Sequence, residues 1–227
     1  MLNHEGKGVF ITFEGGEGVG KSTQIRLLSV AFEKSGIYNS LFTREPGATE
    51  IPLCQKLRKI VKNDDMDSTT EMLIFFADRN EHVKCSILPA LKSGKIVVSD
   101  RFYDSTRAYQ RATYNLDNIK KIEVLIDTFI NDCTPDLTIL LDADPEEVLH
   151  RSVEKGKFEN KDIGFHQAVR NVYLEIANEY SDRIKIIKDG QDIYNKHISV
   201  IQCINDNLGF KISTLSQQDV INIINND

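Results

Sequence analysis

Phe10-Ile-Thr-Phe-Glu-Gly-Gly-Glu-Gly-Val-Gly-Lys-Ser-Thr23 is the stretch of this sequence that decides the fold. It begins as an apolar, β-rich run, continues as a glycine-rich turn and ends where a helical pattern starts. Gly15, Gly20, Lys21 and Ser22 match the spacing G-x-x-x-x-G-K-[ST], which is typical of a loop that cradles phosphate groups. The alternative is a glycine-rich turn that binds nothing. We favour phosphate binding because the preceding strand and the following helix supply the context that this motif needs.

The glycine spacing has a physical explanation. Glycines allow backbone N–H groups to point inward at phosphate oxygens, and the N-terminus of the following helix adds a positive dipole end. We expect Lys21 to reach the β- and γ-phosphates of a nucleotide and the Ser22 hydroxyl to bind Mg²⁺. The residues expected to contact ATP form one continuous segment, namely Gly15, Gly16, Glu17, Gly18, Val19, Gly20, Lys21, Ser22 and Thr23.

Composition narrows the possible functions. The chain has 227 residues, 41% of them apolar, which is enough for one domain with a sizeable core. Its formal charge of −6 argues against nucleic acid as the main partner. No apolar run approaches the ~18 residues of a membrane span and no signal peptide is visible, so we expect a cytoplasmic protein without a membrane partner. Four widely spaced cysteines are interpreted as free thiols rather than metal ligands: Cys54, Cys85, Cys133 and Cys203.

Apolar strands alternate with helical segments along the chain. Each predicted strand is a short continuous apolar run, as in a strand that is buried on both faces. The predicted strands are Val9–Phe13, Ser40–Thr43, Ile96–Ser99, Leu137–Leu141 and Arg183–Ile187. This order predicts a three-layer α/β fold of the P-loop NTPase type, with a five-stranded parallel sheet and helices on both faces. Ligands in such folds bind at the carboxyl ends of the strands, where the phosphate loop, Arg44, Asp100 and Asp142 all lie.

Helices are predicted from apolar periodicity and from capping signals. Ser68 and Glu71 form a capping box before an apolar run, and Pro89 is expected to kink or restart that helix. The polar segment Glu154–Gly164 is expected to be a mobile surface loop. Residues 211–227 are polar with only a hint of amphipathic pattern, so we expect a loosely attached tail. The other predicted helices cover Lys21–Glu33, Ile51–Val61, Thr106–Arg111, Asn118–Ile130, a segment opened by Pro145, Phe165–Tyr180 and Ile193–Leu208.

A phosphate loop alone does not distinguish a GTPase, a motor ATPase and a small-molecule kinase. GTPases need the guanine-reading pattern N-K-x-D after an apolar strand, whereas Asp142-Ala-Asp144 follows Leu137–Leu141 here. Motor ATPases usually need a larger chain. A small kinase needs a second anion site that faces the γ-phosphate, and arginines from three separate segments could form it: Arg44, Arg79 and Arg101. The sequence therefore favours a small-molecule kinase.

Four motifs resemble those of the thymidylate kinase family. They are Glu14–Thr23, Thr43-Arg-Glu-Pro-Gly47, Glu71-Met-Leu-Ile-Phe-Phe-Ala-Asp-Arg79 and Ser99-Asp-Arg-Phe-Tyr-Asp-Ser-Thr-Arg-Ala-Tyr-Gln110. The last two motifs are highly specific in combination. The resemblance implies transfer of the γ-phosphate of ATP to dTMP, giving dTDP in dTTP biosynthesis, with Mg²⁺ as cofactor and a homodimer as the assembly. It also implies one nucleoside-monophosphate kinase domain over residues 1–210, with a lid at about 154–164 and a C-terminal tail over 211–227.

The resemblance implies roles for individual residues around the acceptor nucleotide. Arg44 and Arg101 are similar to the arginines that hold the dTMP phosphate. Phe75 is similar to the ring that stacks on thymine, with an ordinary core phenylalanine as the alternative. Arg79 resembles the arginine that contacts both base and phosphate, with a structural salt bridge as the alternative.

Further residues are implied in metal binding and in the nucleoside pocket. Asp100 resembles the acid that organises Mg²⁺ or the attacking phosphate, with a helix cap as the alternative. Glu17 is similar to the residue that accepts a hydrogen bond from the deoxyribose 3′-hydroxyl. The residues implied as lining of the nucleoside pocket are Ser105, Thr106, Tyr109 and Gln110.

The lid sequence departs from the most common family pattern. One branch of the family has an arginine at the Gly18 position, and the other has glycine there and supplies an arginine from the lid. This chain resembles the second branch, yet Lys157 stands where the lid arginine is expected. Lysine carries the charge but lacks the bidentate guanidinium, so Arg151 or Arg170 could take over, or turnover could be slow. Lys161 is interpreted as part of a solvated surface.

Two other functions stay open. Another nucleotide or deoxynucleoside kinase, such as adenylate kinase, would share the fold but accept AMP or thymidine. A regulatory P-loop ATP-binding protein would turn over no monophosphate. The sequence does not decide kinetic rates, the discrimination between dTMP and dUMP, or the role of residues 211–227.

Overall fold

Each of the five predicted strands is present and ends on a charged side chain. The computed structural model describes residues 8–113, 116–130, 132–151, 161–190 and 192–225. The strands are β1 (Val9–Glu14), β2 (Ser40–Arg44), β3 (Ile96–Asp100), β4 (Leu137–Asp142) and β5 (Ile184–Lys188). They form one parallel sheet in the order β2–β3–β1–β4–β5, so the predicted five-stranded sheet is confirmed. Each strand ends one residue later than predicted, because the charged residue still belongs to the ladder.

The register of the ladder brings the strand ends together. Asp100 is the β-partner of Phe13 on one side and of Arg44 on the other. Inside the sheet, the buried hydroxyls of Thr12 and Thr138 hydrogen bond to each other over 2.8 Å. The charged residues at the ends of β2 and β3 therefore lie beside the start of the glycine-rich loop, at the sheet edge where parallel folds bind ligands.

Ten α-helices connect and cover the strands in the described residues. They are α1 (Lys21–Lys34), α2 (Pro52–Asn63), α3 (Ser68–His82), α4 (Leu88–Lys92), α5 (Tyr103–Thr113), α6 (Leu116–Phe129), α7 (Pro145–Val148), α8 (Ile163–Glu179), α9 (Ile193–Leu208) and α10 (Gln217–Asn225). The helices lie on both faces of the sheet, as the alternating sequence pattern predicts.

Several helix boundaries differ from the predictions. α3 begins at Ser68 as expected, but the side chain of Asp67 caps it by accepting from Thr69 N over 2.8 Å. The predicted capping box at Ser68 is therefore wrong by one residue. α5 begins at Tyr103 rather than Thr106, and α8 begins at Ile163, so residues 163–164 of the expected loop are helical.

A π-helical turn joins α3 to α4. It covers Val83–Ile87 and immediately precedes α4, whose first turn contains Pro89. Proline has no N–H to donate and its ring clashes with an upstream carbonyl, so a locally widened turn is one way to continue the helix. The predicted restart at Pro89 is confirmed, and α4 ends shortly before Gly94, whose φ of 76° suits glycine.

Two apolar clusters fill the space on either face of the sheet. Ile11 and Phe13 of β1 pack with Leu27 and Leu28 of α1 and with residues of α9. Phe10, which points to the opposite face, packs with residues of α3 and α6. Successive side chains of β1 point to opposite faces of the sheet and so contribute to both clusters. This strand is buried along its whole length.

The C-terminal segment is part of the first apolar cluster. Ile212, Leu215 and Val220 are each at most 4% exposed and pack among residues of that cluster. Lys34 of α1 forms an ion pair with Asp219 over 2.7 Å. The expected loose attachment of the C-terminal tail is therefore wrong for residues 211–225, the part of it that the structure describes. Although this segment is mostly polar, a few of its side chains are apolar, and these side chains dock α10 and the residues before it on the cluster.

The proposed lid lies mostly outside the described residues. Of residues 154–164, the structure describes 161–164 only, and Lys157 is not among them. Within the described ranges, no helix combines the length and the apolar character needed to cross a membrane. The domain boundary at residue 210 stays a prediction.

Candidate active site

The glycine-rich loop between β1 and α1 folds around its own lysine. Gly15, Gly18 and Gly20 have φ values of 138°, 74° and 91°, which are left-handed conformations that glycine adopts without strain. Lys21 Nζ donates to Gly15 O over 3.1 Å and to Gly16 O over 2.7 Å. Burial, together with the charge of the nearby Arg101, lowers the pKa of Lys21. A negatively charged ligand in the loop would oppose both effects and favour the ammonium form.

Gly18 lies where the loop contacts the turn after β4. A Cβ atom built on Gly18 would be 2.1 Å from the carbonyl oxygen of Val148, far inside contact distance. The φ of 74° adds a backbone penalty for any other residue. This loop therefore has no room for a side chain at residue 18.

Asp100 and Ser22 meet above the ends of β1 and β3. Ser22 Oγ donates to Asp100 Oδ2 over 3.2 Å. Asp100 Oδ1 is buried and has no hydrogen-bond partner among the described residues. A buried carboxylate oxygen without a donor beside a serine hydroxyl is a suitable ligand pair for a hard cation.

Arg101 is the centre of a hydrogen-bond network next to the phosphate loop. Its backbone takes a left-handed conformation with φ 70°, which is uncommon for a residue other than glycine. Its guanidinium donates to Glu17 Oε1 over 2.6 Å. Burial opposes ionisation of Glu17, but the charges of Arg101 and Lys21 outweigh it and lower the Glu17 pKa to about 2. The other acceptors of the Arg101 guanidinium are Gly15 O, Ser105 Oγ, Tyr109 OH and Tyr173 OH.

Arg79, on α3, is held by a buried ion pair with Glu45, which follows β2. Its Nε donates to Glu45 Oε2 over 2.6 Å, and its Nη1 donates to Thr106 Oγ1 over 2.9 Å. His82 Nδ1 lies 3.0 Å from the second oxygen of Glu45, and His82 Nε2 lies 2.8 Å from Thr43 Oγ1. Arg79 therefore makes the salt bridge that was the alternative, while its side chain also lines the cavity described below.

Glu14 is a buried carboxylic acid beneath this network. It accepts from Phe102 N over 2.7 Å, from Ser105 Oγ over 2.6 Å and from Tyr173 OH over 3.1 Å. Burial, with a smaller contribution from the negative charge of Asp104, raises the Glu14 pKa to about 7. This residue orients the hydroxyls that face Arg101.

One cavity of about 1120 Å³ runs along the carboxyl ends of the strands. This volume exceeds the ~300–1,000 Å³ of a typical small-ligand site, so two nucleotides can share it. Arg44 is exposed and Phe75 is partly buried at its wall. The predicted site residues that line it are Glu17, Gly18, Val19, Gly20, Lys21, Ser22, Thr23, Arg44, Phe75, Arg79, Asp100, Arg101, Ser105, Thr106, Tyr109, Gln110 and Arg151.

The basic residues near the lid occupy different situations. Arg170 donates to both oxygens of Asp142, over 2.7 and 3.1 Å, and to Asp144 over 3.2 Å. Arg151 is about half exposed and lies 3.5 Å from Asp189 Oδ2 at the wall of the cavity. Of these two arginines, only Arg151 lines the cavity.

Sequence reasoning missed several residues of the site. The sequence analysis assigns no role to Glu45 or Glu14, which it includes only as members of motifs. For Glu14, a carboxylate at the end of an apolar strand is a signal of a buried polar site. Tyr173 gave no sequence signal, because it comes from α8 and meets Ser105 across 68 positions of the chain. Lys196 is buried beside the phosphate loop, where it donates to Asp189 Oδ1 over 2.6 Å.

Known proteins are similar to this chain in sequence and in fold. The family model described as thymidylate kinase matches residues 13–200 of the chain. A thymidylate kinase of Magnetococcus marinus is 42% identical over 194 residues, covering 82% of this chain and 90% of that protein. One of Wolbachia pipientis from Culex pipiens is 40% identical over 202 residues, covering 86% and 96%. The crystal structure of thymidylate kinase from Ehrlichia chaffeensis superposes with a TM-score of 0.72 at 36% identity, covering 88% of this chain and 99% of that one.

Proposed function

The chain belongs to the thymidylate kinase family, and from this we propose how its cavity transfers the γ-phosphate of ATP to dTMP, giving dTDP. The observation that carries the proposal is one cavity that joins residues 17–23 of the phosphate loop to three arginines, namely Arg44 at the end of β2, Arg79 on α3 and Arg101 directly after β3. Two polyanions must be brought in line in this reaction, so a shared cavity with positive charge on both sides is the main requirement.

We propose that the phosphate loop binds the donor. The backbone N–H groups of residues 15–20 and the N-terminus of α1 attract the phosphate chain of ATP. Lys21 would exchange its hydrogen bonds to the loop carbonyls for the β- and γ-phosphates. Since Lys21 is buried, its charge acts at low effective dielectric on the group in transfer.

The acceptor side is proposed to bind dTMP through charge and stacking. Arg44, which is exposed in the cavity, is free to reach the dTMP phosphate, and Phe75 offers its ring to thymine. Arg101 and Arg79 are already fixed by carboxylates, which reduces the entropy lost when they meet the substrate. The dTMP phosphate oxygen is already an anionic nucleophile, so the reaction needs no strong general base.

The proposed nucleoside pocket uses the start of α5. Ser105 and Thr106 are held by bonds to Glu14 and Arg79, and Tyr109 OH donates to Glu17 over 2.8 Å. A deoxyribose 3′-hydroxyl that donates to Glu17 would use the second carboxylate oxygen of that residue. Thymine differs from uracil by one methyl group, which is worth roughly 1–3 kcal/mol in a pocket, so dUMP would be a weaker substrate rather than an excluded one.

Ser22 and Asp100 fit a magnesium ion. The fit rests on the buried Asp100 Oδ1, which has no hydrogen-bond partner among the described residues, and on the adjacent serine hydroxyl. Mg²⁺ usually takes one or two protein oxygens and completes its shell with water and phosphate oxygens. When bound here, the ion would neutralise charge on the β- and γ-phosphates.

Three further features belong to the proposal. Arg151 or Lys157 supplies the basic group that replaces the usual lid arginine, while Arg170 stays with Asp142. The enzyme is proposed to work in the cytoplasm as a homodimer without nucleic acid or membrane partners. The kinase domain is proposed to cover residues 1–210, with a lid at about 154–164.

The function is tested by ADP formation from ATP and Mg²⁺ with dTMP, dUMP, AMP, CMP, GMP and thymidine in parallel. We expect turnover with dTMP well above all other acceptors. Activity on AMP or thymidine but not on dTMP would keep the fold and reject the pocket assignment. ATP binding without turnover of any acceptor would favour a regulatory ATP-binding protein.

A further inference from the structure

The cavity continues past the phosphate loop to α10. Gln217, Val220, Ile221 and Ile224 of this helix line it. Their spacing of i, i+3, i+4 and i+7 places them on one helix face. α10 lies beyond residue 200, where the match to the family model ends. The cavity wall therefore includes a helix that the family resemblance did not assign to the site.

The sheet order places α10 at the donor end of the cavity. Arg44, at the end of β2, marks the acceptor side, and β1 with its phosphate loop is the central strand. Asp192 and Ile193, which follow β5 at the opposite edge of the sheet, line the cavity together with α10. A triphosphate whose γ-phosphate faces the acceptor side must therefore direct its base toward α10.

α10 is held against the helix that follows the phosphate loop. Arg26 of α1 donates to the carbonyl oxygen of Ile223 over 2.6 Å, and Lys34 pairs with Asp219 over 2.7 Å. The backbone N–H of Leu215 donates to the buried His197 on α9 over 3.2 Å. These contacts hold α10 and the segment that leads into it against α1 and α9.

On the cavity-facing side of α10, part of the apolar surface is not covered by the residues that the structure describes. Ile221 is 44% exposed, and Ile224 is only partly buried. A purine base has apolar faces and polar edges, and the Gln217 amide can both donate and accept at such an edge. We propose that this face of α10 forms one wall of the subsite for the purine base of ATP. The inference rests on the proposed phosphate loop function and assigns the base end of the donor.

The test compares two double variants of the full chain. Ile221→Ser with Ile224→Ser removes the apolar surface that faces the cavity. Gln218→Ser with Asn222→Ser truncates two exposed side chains on the same helix, which bond to each other over 2.9 Å and do not line the cavity. Equilibrium binding is measured by calorimetry for ATP and for inorganic tripolyphosphate, which has the phosphate chain but no base. Unfolding temperatures confirm that both variants fold.

We expect the isoleucine variant to bind ATP about 10-fold more weakly, as for the loss of small apolar contacts in a pocket, and tripolyphosphate equally well. The control variant should keep both affinities. Unchanged ATP affinity would overturn the proposal, and so would equal losses for ATP and tripolyphosphate, because α10 would then act through the loop. If the double variant unfolds, the single change Ile221→Ala at the exposed site serves instead, with about a 3-fold loss for ATP alone.

This binding test is independent of turnover. A wild-type protein that binds ATP without phosphorylating dTMP would reject the proposed acceptor but leave the α10 comparison intact. Conversely, the wild type could phosphorylate dTMP while the isoleucine variant binds ATP as tightly as the wild type does. This result would support the proposed function and reject the role of α10 in the purine subsite.

Discussion

The Nη2 atom of Arg101 donates to Glu17 Oε1 over 2.6 Å and so ties the end of β3 to the phosphate loop. The pair is mostly buried, with 15% of the Arg101 side chain and 19% of the Glu17 side chain exposed. Because Arg101 also donates to Gly15 O, this pair fixes the position of the loop relative to the acceptor side. In the proposed reaction, this ion pair would keep the donor and acceptor sides of the cavity aligned.

Replacing Glu17 by glutamine should weaken both halves of the site. The Arg101 guanidinium would lose its charged partner, and we expect a loss of about 1–2 kcal/mol in stability, less than the 3–5 kcal/mol of a fully buried pair. We expect kcat/KM for dTMP to fall by about 10- to 100-fold. Steady-state kinetics and urea unfolding test this, with the exposed Glu33→Gln as a control that changes neither. Wild-type kinetics in Glu17→Gln would contradict the assigned alignment.

Replacing Gly18 by alanine should disrupt the phosphate loop. Gly18 and Gly36 share a φ of 74°, but only at Gly18 would a Cβ atom meet a neighbour, Val148 O at 2.1 Å. Gly36→Ala is therefore the matched control and should cost about 1–2 kcal/mol of stability with unchanged ATP affinity. Gly18→Ala should cost more and should weaken ATP binding at least 10-fold. ATP affinity is measured by calorimetry and stability by thermal unfolding. Equal effects of the two changes would show that the loop can move to make room for a side chain at residue 18.

Replacing Arg151 by alanine should lower kcat if this residue supplies the missing lid charge. It lines the cavity and is about half exposed, so it can turn toward a triphosphate. We expect kcat to fall by about 10²-fold with little change in KM for dTMP, as for loss of one electrostatic donor. Lys161→Ala, at an exposed position, is the control. A large effect of Lys157→Ala with none of Arg151→Ala would transfer the role to Lys157.

Glu14 should make the protein less stable as the pH rises from 4.5 to 7. Its folded-state pKa is about 7 against an ordinary 4.5, so the folded state binds the extra proton in this range and the unfolded chain does not. The free energy of unfolding of the wild type relative to Glu14→Gln should therefore fall by about 2–3 kcal/mol across this window. Urea unfolding of both proteins at a series of pH values measures the difference. Parallel curves would refute the prediction.

His197 should have the opposite pH dependence. Burial lowers its pKa from 6.5 to about 4, so between these values the unfolded chain binds the extra proton and stability increases with pH. Relative to His197→Gln, which keeps an acceptor for Leu215 N, the wild type should gain about 2–3 kcal/mol between pH 4 and 6.5. Hydrogen exchange of the Leu215 amide gives a local readout, since protonation of His197 would release it. Protection that does not change with pH would contradict this.

Local patterns predicted the sheet and the phosphate loop well. The central strands β1, β3 and β4 are mostly apolar runs, and the loop spacing from Gly15 to Ser22 follows from the geometry of phosphate binding. The strand ends were placed one residue early, because Asp100 and its counterparts are charged and look like loop residues. A charged residue therefore does not mark the end of a strand here, since ligands bind at the carboxyl ends of parallel strands and charged side chains are needed there.

Long-range partners could not be predicted from the sequence. Arg79 was assigned to the nucleotide, but only the fold shows that Glu45 binds it in a buried pair. The C-terminal residues Ile212, Leu215 and Val220 were misjudged because their partners lie on α1 and α9, far away in the chain. A mostly polar composition predicts that a segment is exposed on average. A few apolar residues are nevertheless enough to dock such a segment on the core.

The central position of β1 has a consequence for synthesis on the ribosome. Phe10 N donates to Asp136 Oδ2 across 126 positions of the chain, and in the described residues β1 pairs with β3 and β4. Until β4 has emerged, this mostly apolar strand has an unpaired edge, which is a hazard for aggregation. The nascent chain is therefore expected to need chaperone protection of β1 until residue 142 has emerged from the ribosome.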